Sequence, residues 1–249
     1  MNARASTSHG LLIALVVTGL WATLLVSSLG RPLGSMSAAE IALRFVAQTW
    51  LYTGLFITAH DAMHGTVAPA HPRLNDLVGT VALGLYALFP FRALQAEHRR
   101  HHARPASPDD PDWHDPEHPG FVRWYLRFVG HYVRRTQVVG MALVFNVLSH
   151  GLGVPEGSLI VLWVLPSLLS TVQLFYFGTY LPHREAGGAF RDRHRARSNA
   201  YGAFASLLTC YHFGYHWEHH TLPGEPWWRL PAARRLLGAT GASQKGLEV

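Results

Sequence analysis

The sequence predicts an all-α integral membrane protein with about four transmembrane helices, one interfacial or re-entrant segment, and a histidine-rich cap on a single side. Three observations lead there. Apolar runs near residues 11–29, 40–59, 138–154 and 158–181 approach or exceed the roughly 20 residues that carry a helix across a bilayer. The basic residues fall almost wholly on one side of the topology those runs define. Of seventeen histidines, eight gather in three groups at helical spacings just beyond apolar stretches, on that same side.

The chain reads as one domain over residues 1–249. Residues 11–29 are uncharged. Arg4 precedes them as in a signal peptide, but the run is too long for a signal core and lacks a small-x-small cleavage site, so a retained span is expected. Gly30, Pro32 and Gly34 end it. Ser37-Ala38-Ala39-Glu40 has the form of a capping box that starts the next helix, and Glu40 can pair with Arg44 one turn on. That helix crosses back over residues 40–59 and delivers His60 and His64 to the far interface.

Residues 77–91 are apolar, but a full crossing would part His98–His102 from His60 and His64. They are therefore read as a bent segment returning to its starting side, which Gly79, Gly84 and Pro90 suit. Residues 92–135, with the acidic run Asp109-Asp110-Pro111-Asp112, read as a soluble loop. The spans 138–154 and 158–181 form a second hairpin turning at Gly153, Pro155 and Gly157, and Pro166 is expected to kink its second arm. Of 21 basic residues, Arg31 lies in an outer loop and Arg44 near the outer end of a span. The others, both termini and every histidine cluster fall on the inner, cytoplasmic side.

The histidines carry the chemistry. His60 and His64, then His98, His101 and His102, then His216, His219 and His220 use steps of three or four, which a helix turns into one face. Eight imidazoles packed together without a shared partner would be costly. A lone interfacial histidine such as His9, His71, His114, His118 or His131 reads instead as a polar anchor. His183 emerges at the same interface as His60 and is the expected ninth ligand, with His194 and His212 as rivals for that place. Nine imidazoles are too many for one ion and enough for two. Imidazole suits iron, zinc, copper and nickel alike, and redox work on a membrane substrate favours iron. Asp61, Glu97 and Glu218 adjoin ligands and are candidates to orient their N–H groups; Asp192, His194 and His212 join them as candidates for that surrounding shell. The single cysteine, Cys210, excludes a disulfide and any cysteine-built metal site. No nucleophile elbow or phosphate loop is present. Net charge is +6, but the long apolar runs assign it to a membrane surface and not to nucleic acid. The aromatic groups Phe175-Tyr176-Phe177, Tyr180 and Trp227-Trp228 read either as an interfacial belt or as the flanks of an apolar substrate.

Taken together, HxxxH at 60–64, HxxHH at 98–102 and HxxHH at 216–220 on a four-span frame resemble the integral-membrane fatty acid desaturase and hydroxylase superfamily. Within it, His60-Asp61-Ala62-Met63-His64-Gly65, Glu97-His98-Arg99-Arg100-His101-His102, residues 190–198, and Cys210 through His220 followed by Pro226-Trp227-Trp228-Arg229-Leu230-Pro231 resemble the bacterial-type β-carotene ketolases. The resemblance runs from about residue 40 to 235, and His183 matches the isolated histidine the superfamily places before its last box. It implies two non-haem iron ions, so that the cap is a di-iron cap, with dioxygen as co-substrate. It also implies electrons from reduced ferredoxin or a similar donor, a carotenoid with β-ionone rings drawn from the lipid bilayer, and a bacterial inner-membrane location. The activity implied is oxidation of ring carbon 4 to a ketone, on bare rings and, as an open extension, on hydroxylated ones. The rivals are a carotenoid hydroxylase or lipid desaturase of the same superfamily, and, from another class, a non-catalytic membrane metal carrier or sensor. A carrier calls for histidines on both faces, and only His150 lies near the outer one.

Overall fold

A computed structural model of the chain describes residues 3–185, 190 and 192–239. Arg191 and the terminal residues 1–2 and 240–249, on which parts of the reading above rest, lie outside them. The described residues are helical, with no β-strand among them.

Helix α1 (Ala3–Leu29) and helix α2 (Ala38–Met63) form an antiparallel pair. The turn between them follows the expected capping: the Ser37 side chain accepts from the Glu40 N–H, and Glu40 Oε1 takes Arg31 at 2.6 Å and Arg44 at 3.0 Å. Solvent screens such pairs near the surface, so they add little stability; they fix the entry angle of α2. The centre of α2 is the core of the molecule, with Tyr52, Leu55 and Ile57 fully buried. Tyr52 meets Trp21 of α1 edge-on at 5.4 Å.

Helix α3 (Pro72–Ala87) and helix α4 (Phe91–Ala103) meet at a 99° bend. Leu88, at φ 58°, and Pro90 make the corner. The Phe91 ring seats so closely on Gly79 that a Cβ there would lie 2.2 Å from it. This is the bent element expected near 77–91, begun five residues earlier at Pro72, and its second arm carries His98–His102 back beside the end of α2.

The stretch 92–135, expected as a loop, is not all loop. Besides α4 it holds helix α5 (Phe121–Tyr132), tied down by Trp124 Nε1 donating to the Asp112 carbonyl at 2.7 Å. Helical periodicity was there, with Trp124 buried while Val122 and Leu126 face out, but the polar and proline-rich flanks masked it. Helix α6 (Arg135–Asn146) runs on through a π turn at Val147–Gly151. Helix α7 (Glu156–His183) is continuous through Pro166. The expected kink is taken up by a wide π segment at Ile160–Val164 just before the proline, which absorbs its missing N–H. A second π segment covers Tyr176–Tyr180. Short helices α8 (Ala203–Cys210), α9 (His216–Thr221) and α10 (Leu230–Ala239) close the cap.

By length and composition, Thr7–Leu29 and Glu156–His183 can cross a bilayer, and the bent α3–α4 pair is a third crossing if counted as one span. Helix α2 and helix α6 with its π turn occupy the other two expected ranges, the first carrying charges at its start and the second shorter than a full crossing.

Candidate metal centre

The structure gathers all nine histidines singled out from the sequence into two adjoining groups. His60, His64, His98, His102 and His219 form one; His101, His183, His216 and His220 form the other, and within each the candidate ligand atoms lie within 4.8 Å of one another. Helical geometry explains the partition. At 3.6 residues per turn, positions i and i+4 differ by about 40° and adjacent positions by about 100°. On α4, His98 and His102 therefore point together while His101 points aside. On α9, His216 and His220 point together and His219 aside. Each HxxHH helix gives a pair to one group and a single imidazole to the other, so α4 and α9 are cross-tied through both. The first group is completed by His60 and His64 from the end of α2, the second by His183 from the end of α7.

The donor set fits cations. Nε2 atoms face one another at 2.7 Å (His64 and His98), 3.0 Å (His102 and His219), 3.1 Å (His101 and His220) and 3.1 Å (His216 and His220). His220 Nε2 faces two other Nε2 atoms, and no single proton satisfies three such nitrogens. His183 spends Nδ1 on the Arg195 carbonyl at 2.7 Å, and His60 directs Nδ1 at Asp61 Oδ1 over a long 3.4 Å; both leave Nε2 buried without a hydrogen-bond partner. Burial, reinforced by neighbouring imidazoles, holds His98, His102, His216, His219 and His220 below the ordinary histidine range. Burial and then Arg99 lower His64 to about 4. These groups are neutral at physiological pH, the form that binds metal.

His101 is the exception. Burial would lower it, but the carboxylates of Asp110 and then Asp112 outweigh that and raise it. Asp110 receives His101 Nδ1–H at 3.0 and 3.1 Å and also the backbone N–H groups of Ala106 at 2.8 Å and Asp112 at 2.9 Å. That fixes the tautomer, turning the lone pair of His101 Nε2 toward its group. Asp112 lies 3.5 Å from the same nitrogen and receives the Tyr132 hydroxyl. By sequence alone both acids belong to a soluble loop. Nothing local marks them, because the loop must fold back over α4 before they meet His101.

The other expected orienting residues divide. Asp61 sits between His60 and the Trp227 N–H, 3.0 Å from the latter. Glu97 is corrected: it pairs with Arg100 at 3.0 Å and His131 at 3.3 Å in place of orienting an imidazole, since it sits about 100° round α4 from His98, at the edge of the ligand face. Glu218 is corrected too: fully buried, its oxygens take Ser198 and Arg234, which anchors α9 in place of orienting an imidazole. Asp192 holds α9 through Trp217 Nε1 at 2.7 Å and also accepts from the nearby His194 N–H at 2.8 Å. His194 stops 6.4 Å from the His220 ring, centroid to centroid. His212 does not join either group. Tyr211 and His212 both have positive φ and end α8, so His212 turns away to stack on Tyr215.

A cavity of about 580 Å³, within the range of ligand sites, leads away from the histidines. His60, His98, His101 and His216 close one end, and Phe56, Tyr86, Phe145 and Trp163 line its apolar arm between α2, α3, α6 and α7. The ring of Phe213 lies between, 4.7 Å from His60 and 5.1 Å from His216, and presses on Gly178, where a Cβ would come within 2.3 Å of it. The aromatics expected to flank a substrate do not line this space. Phe175 packs instead with Trp124 in a separate cluster, and Trp227 packs against Tyr211.

Known proteins resemble this chain in sequence. The fatty acid desaturase family model matches residues 36–154 and 131–247. A β-carotene ketolase of Paracoccus sp. is 48% identical over 191 residues, covering 76% of this chain and 77% of its own. A β-carotene ketolase of Haematococcus lacustris is 38% identical over 262 residues, covering 94% and 81%. A zeaxanthin 4-ketolase of Chlamydomonas reinhardtii is 39% identical over 246 residues, covering 94% of this chain and 54% of its own. The chain belongs to the fatty acid desaturase family, in its β-carotene ketolase branch.

Proposed function

We propose that the chain oxidises the carbon-4 methylene of β-ionone rings to a ketone, taking β-carotene through echinenone to canthaxanthin and zeaxanthin toward astaxanthin. One observation carries the reading: an apolar cavity whose closed end is walled by four of the nine clustered histidines. A carotenoid is a long apolar rod with a ring at its tip, and such a cavity admits that tip from the bilayer while leaving the polyene in lipid. Two rounds balance the chemistry. In each, one C–H bond at carbon 4 becomes C–OH as dioxygen, two electrons and two protons yield one water. The gem-diol so formed loses water to give the ketone. Carbon 4 is allylic, so its C–H bonds are the weaker ones on the ring.

Two iron ions suit the two donor groups, His60, His64, His98, His102 and His219 holding one and His101, His183, His216 and His220 the other. Bound there, they supply activation of dioxygen, which imidazole and protein alone do not provide. The residues of the chain do the rest. Asp110 and the Arg195 carbonyl hold His101 and His183 in their binding tautomers. Phe213 and the cavity aromatics position the ring and exclude water. A reduced ferredoxin-like carrier supplies the electrons. The inner-membrane location, four spans and cytoplasmic site rest on the placement of arginines and on the common side shared by the ends of α2 and α4.

Expression in bacteria that make β-carotene tests the proposal, with products separated by chromatography. Canthaxanthin and echinenone are expected. Hydroxylated or newly desaturated products in their place would assign the chain to its superfamily rivals, and unchanged pigment beside folded, iron-loaded protein would exclude carotenoid oxidation.

A further inference from the structure

The cavity wall carries hydroxyl groups whose protons can be traced one by one. Ser170 Oγ donates to the Ser167 carbonyl at 2.7 Å, so the Tyr86 hydroxyl, 2.9 Å from Ser170 Oγ, is the donor in that pair. Thr171 Oγ1 donates to the Leu168 carbonyl at 2.7 Å, so the Tyr125 hydroxyl donates to Thr171. Tyr132 donates to Asp112, and Ser167 to the Val164 carbonyl at 2.8 Å. Thr179 differs. It lines the same cavity and is 5% exposed, yet its hydroxyl has no hydrogen bond among the described residues. In an ordinary helix a threonine returns its proton to the carbonyl four residues back, as Thr49 and Thr58 do. Thr179 lies in the π segment Tyr176–Tyr180, where the carbonyl ladder is shifted, and such segments recur at functional sites.

Its place is telling. Thr179 is four residues before His183, one helical turn along the same face, and follows Gly178, against which Phe213 packs. The free donor therefore stands between the histidines and the apolar arm. An unoxidised ring has nothing to offer it. The first oxidation places a hydroxyl on carbon 4, at the tip held against the histidines.

We propose that Thr179 is a positioning residue whose hydroxyl hydrogen-bonds the carbon-4 oxygen of the half-oxidised ring, holding the alcohol for its second oxidation. The role rests on the ketolase reading and explains why the chain would continue to the ketone where a hydroxylase stops at the alcohol. A buried donor that finds its acceptor only after the first round favours the alcohol over the starting ring, by about tenfold for one net hydrogen bond.

The test compares wild type with Thr179→Val, which keeps the shape, and Thr179→Ser, which keeps the hydroxyl; Thr179→Ala replaces the valine variant should that one fail to accumulate. Products from β-carotene are resolved into 4-hydroxy and 4-keto forms, with iron content measured alongside. Without reductant, binding of 4-hydroxy-β-carotene and of β-carotene is read from quenching of Trp163, which lines the cavity, against a Trp163→Phe control. The valine variant is expected to raise the hydroxy-to-keto ratio about tenfold and to lose preference for the alcohol in binding, with iron unchanged and the serine variant restoring both. An unchanged ratio and preference would overturn the proposal, as would equal losses in the valine and serine variants, which would mark a packing role. Wild type that makes no ketone would overturn the ketolase reading itself, a result distinct from either.

Discussion

Replacing Asp110 with asparagine removes one charge without changing shape, and the surroundings set its cost. Three N–H groups converge on the buried carboxylate: His101 Nδ1 at 3.0 and 3.1 Å, Ala106 N at 2.8 Å and Asp112 N at 2.9 Å. An asparagine has one carbonyl oxygen and one NH2 group, so at least one of those donors must face another donor. A buried N–H left unmade costs about 1–3 kcal/mol, and exchanging a charge-assisted bond for a neutral one about a further 1 kcal/mol. The part that falls on His101 appears as metal affinity, where losing the carboxylate behind a ligand imidazole weakens binding by roughly 10–100-fold, or about 1.4–2.8 kcal/mol. Asp110→Asn is therefore expected to lose one of two irons to a competing chelator at concentrations that leave wild type loaded. Elemental analysis of the purified protein against chelator concentration measures this. Asp109→Asn is the control: that neighbour is exposed, pairs with Arg104, and should change nothing. An Asp110→Asn protein that holds both irons as wild type does would refute the orienting role and the inclusion of His101 among the ligands.

Further expectations follow from the same geometry. His219→Ala removes the one imidazole α9 gives to the five-histidine group, and should abolish ketone formation and lower bound iron; retained turnover in pigment assays would strike His219 from the ligands. Met141→Trp puts an indole into the cavity from α6, which carries none of the nine clustered histidines, and overpacking of that order should cut ketone yield roughly tenfold or more with iron content unchanged. Undiminished yield would show that the substrate lies elsewhere. Orientation is open to cysteine labelling, because Cys210 is the one cysteine and is buried. In a Cys210→Ala background, an impermeant maleimide added to intact cells should label Gly34→Cys, where a side chain meets open space, and spare Glu117→Cys; the reverse pattern would invert the topology.

The clustering of nine histidines was legible in the sequence because steps of three and four are a local property of helices, and because His60 and His183 each follow directly on an apolar run. Even their division into five and four follows from the roughly 100° between adjacent helical positions, once α4 and α9 are known to face each other. At the bend, Pro90 was legible in the same way, since proline acts on its own stretch of backbone, whereas Gly79 and Gly84 lie within α3 and left-handed Leu88 carries no local signal. Chain folding over longer distances decided the rest. Asp110 belongs to His101 because a proline-rich loop closes back over α4, and the Arg195 carbonyl belongs to His183 because residues 192–198 return beside α7. Glu97 and Glu218, adjacent to ligands in sequence, point away from them, since neighbours on a helix face different directions. Phe175 and Trp227 went into packing, while the cavity beside the histidines took its aromatics from α2, α3, α5, α6 and α7. A helix determines which side chains share a face; only the assembled bundle determines what that face meets.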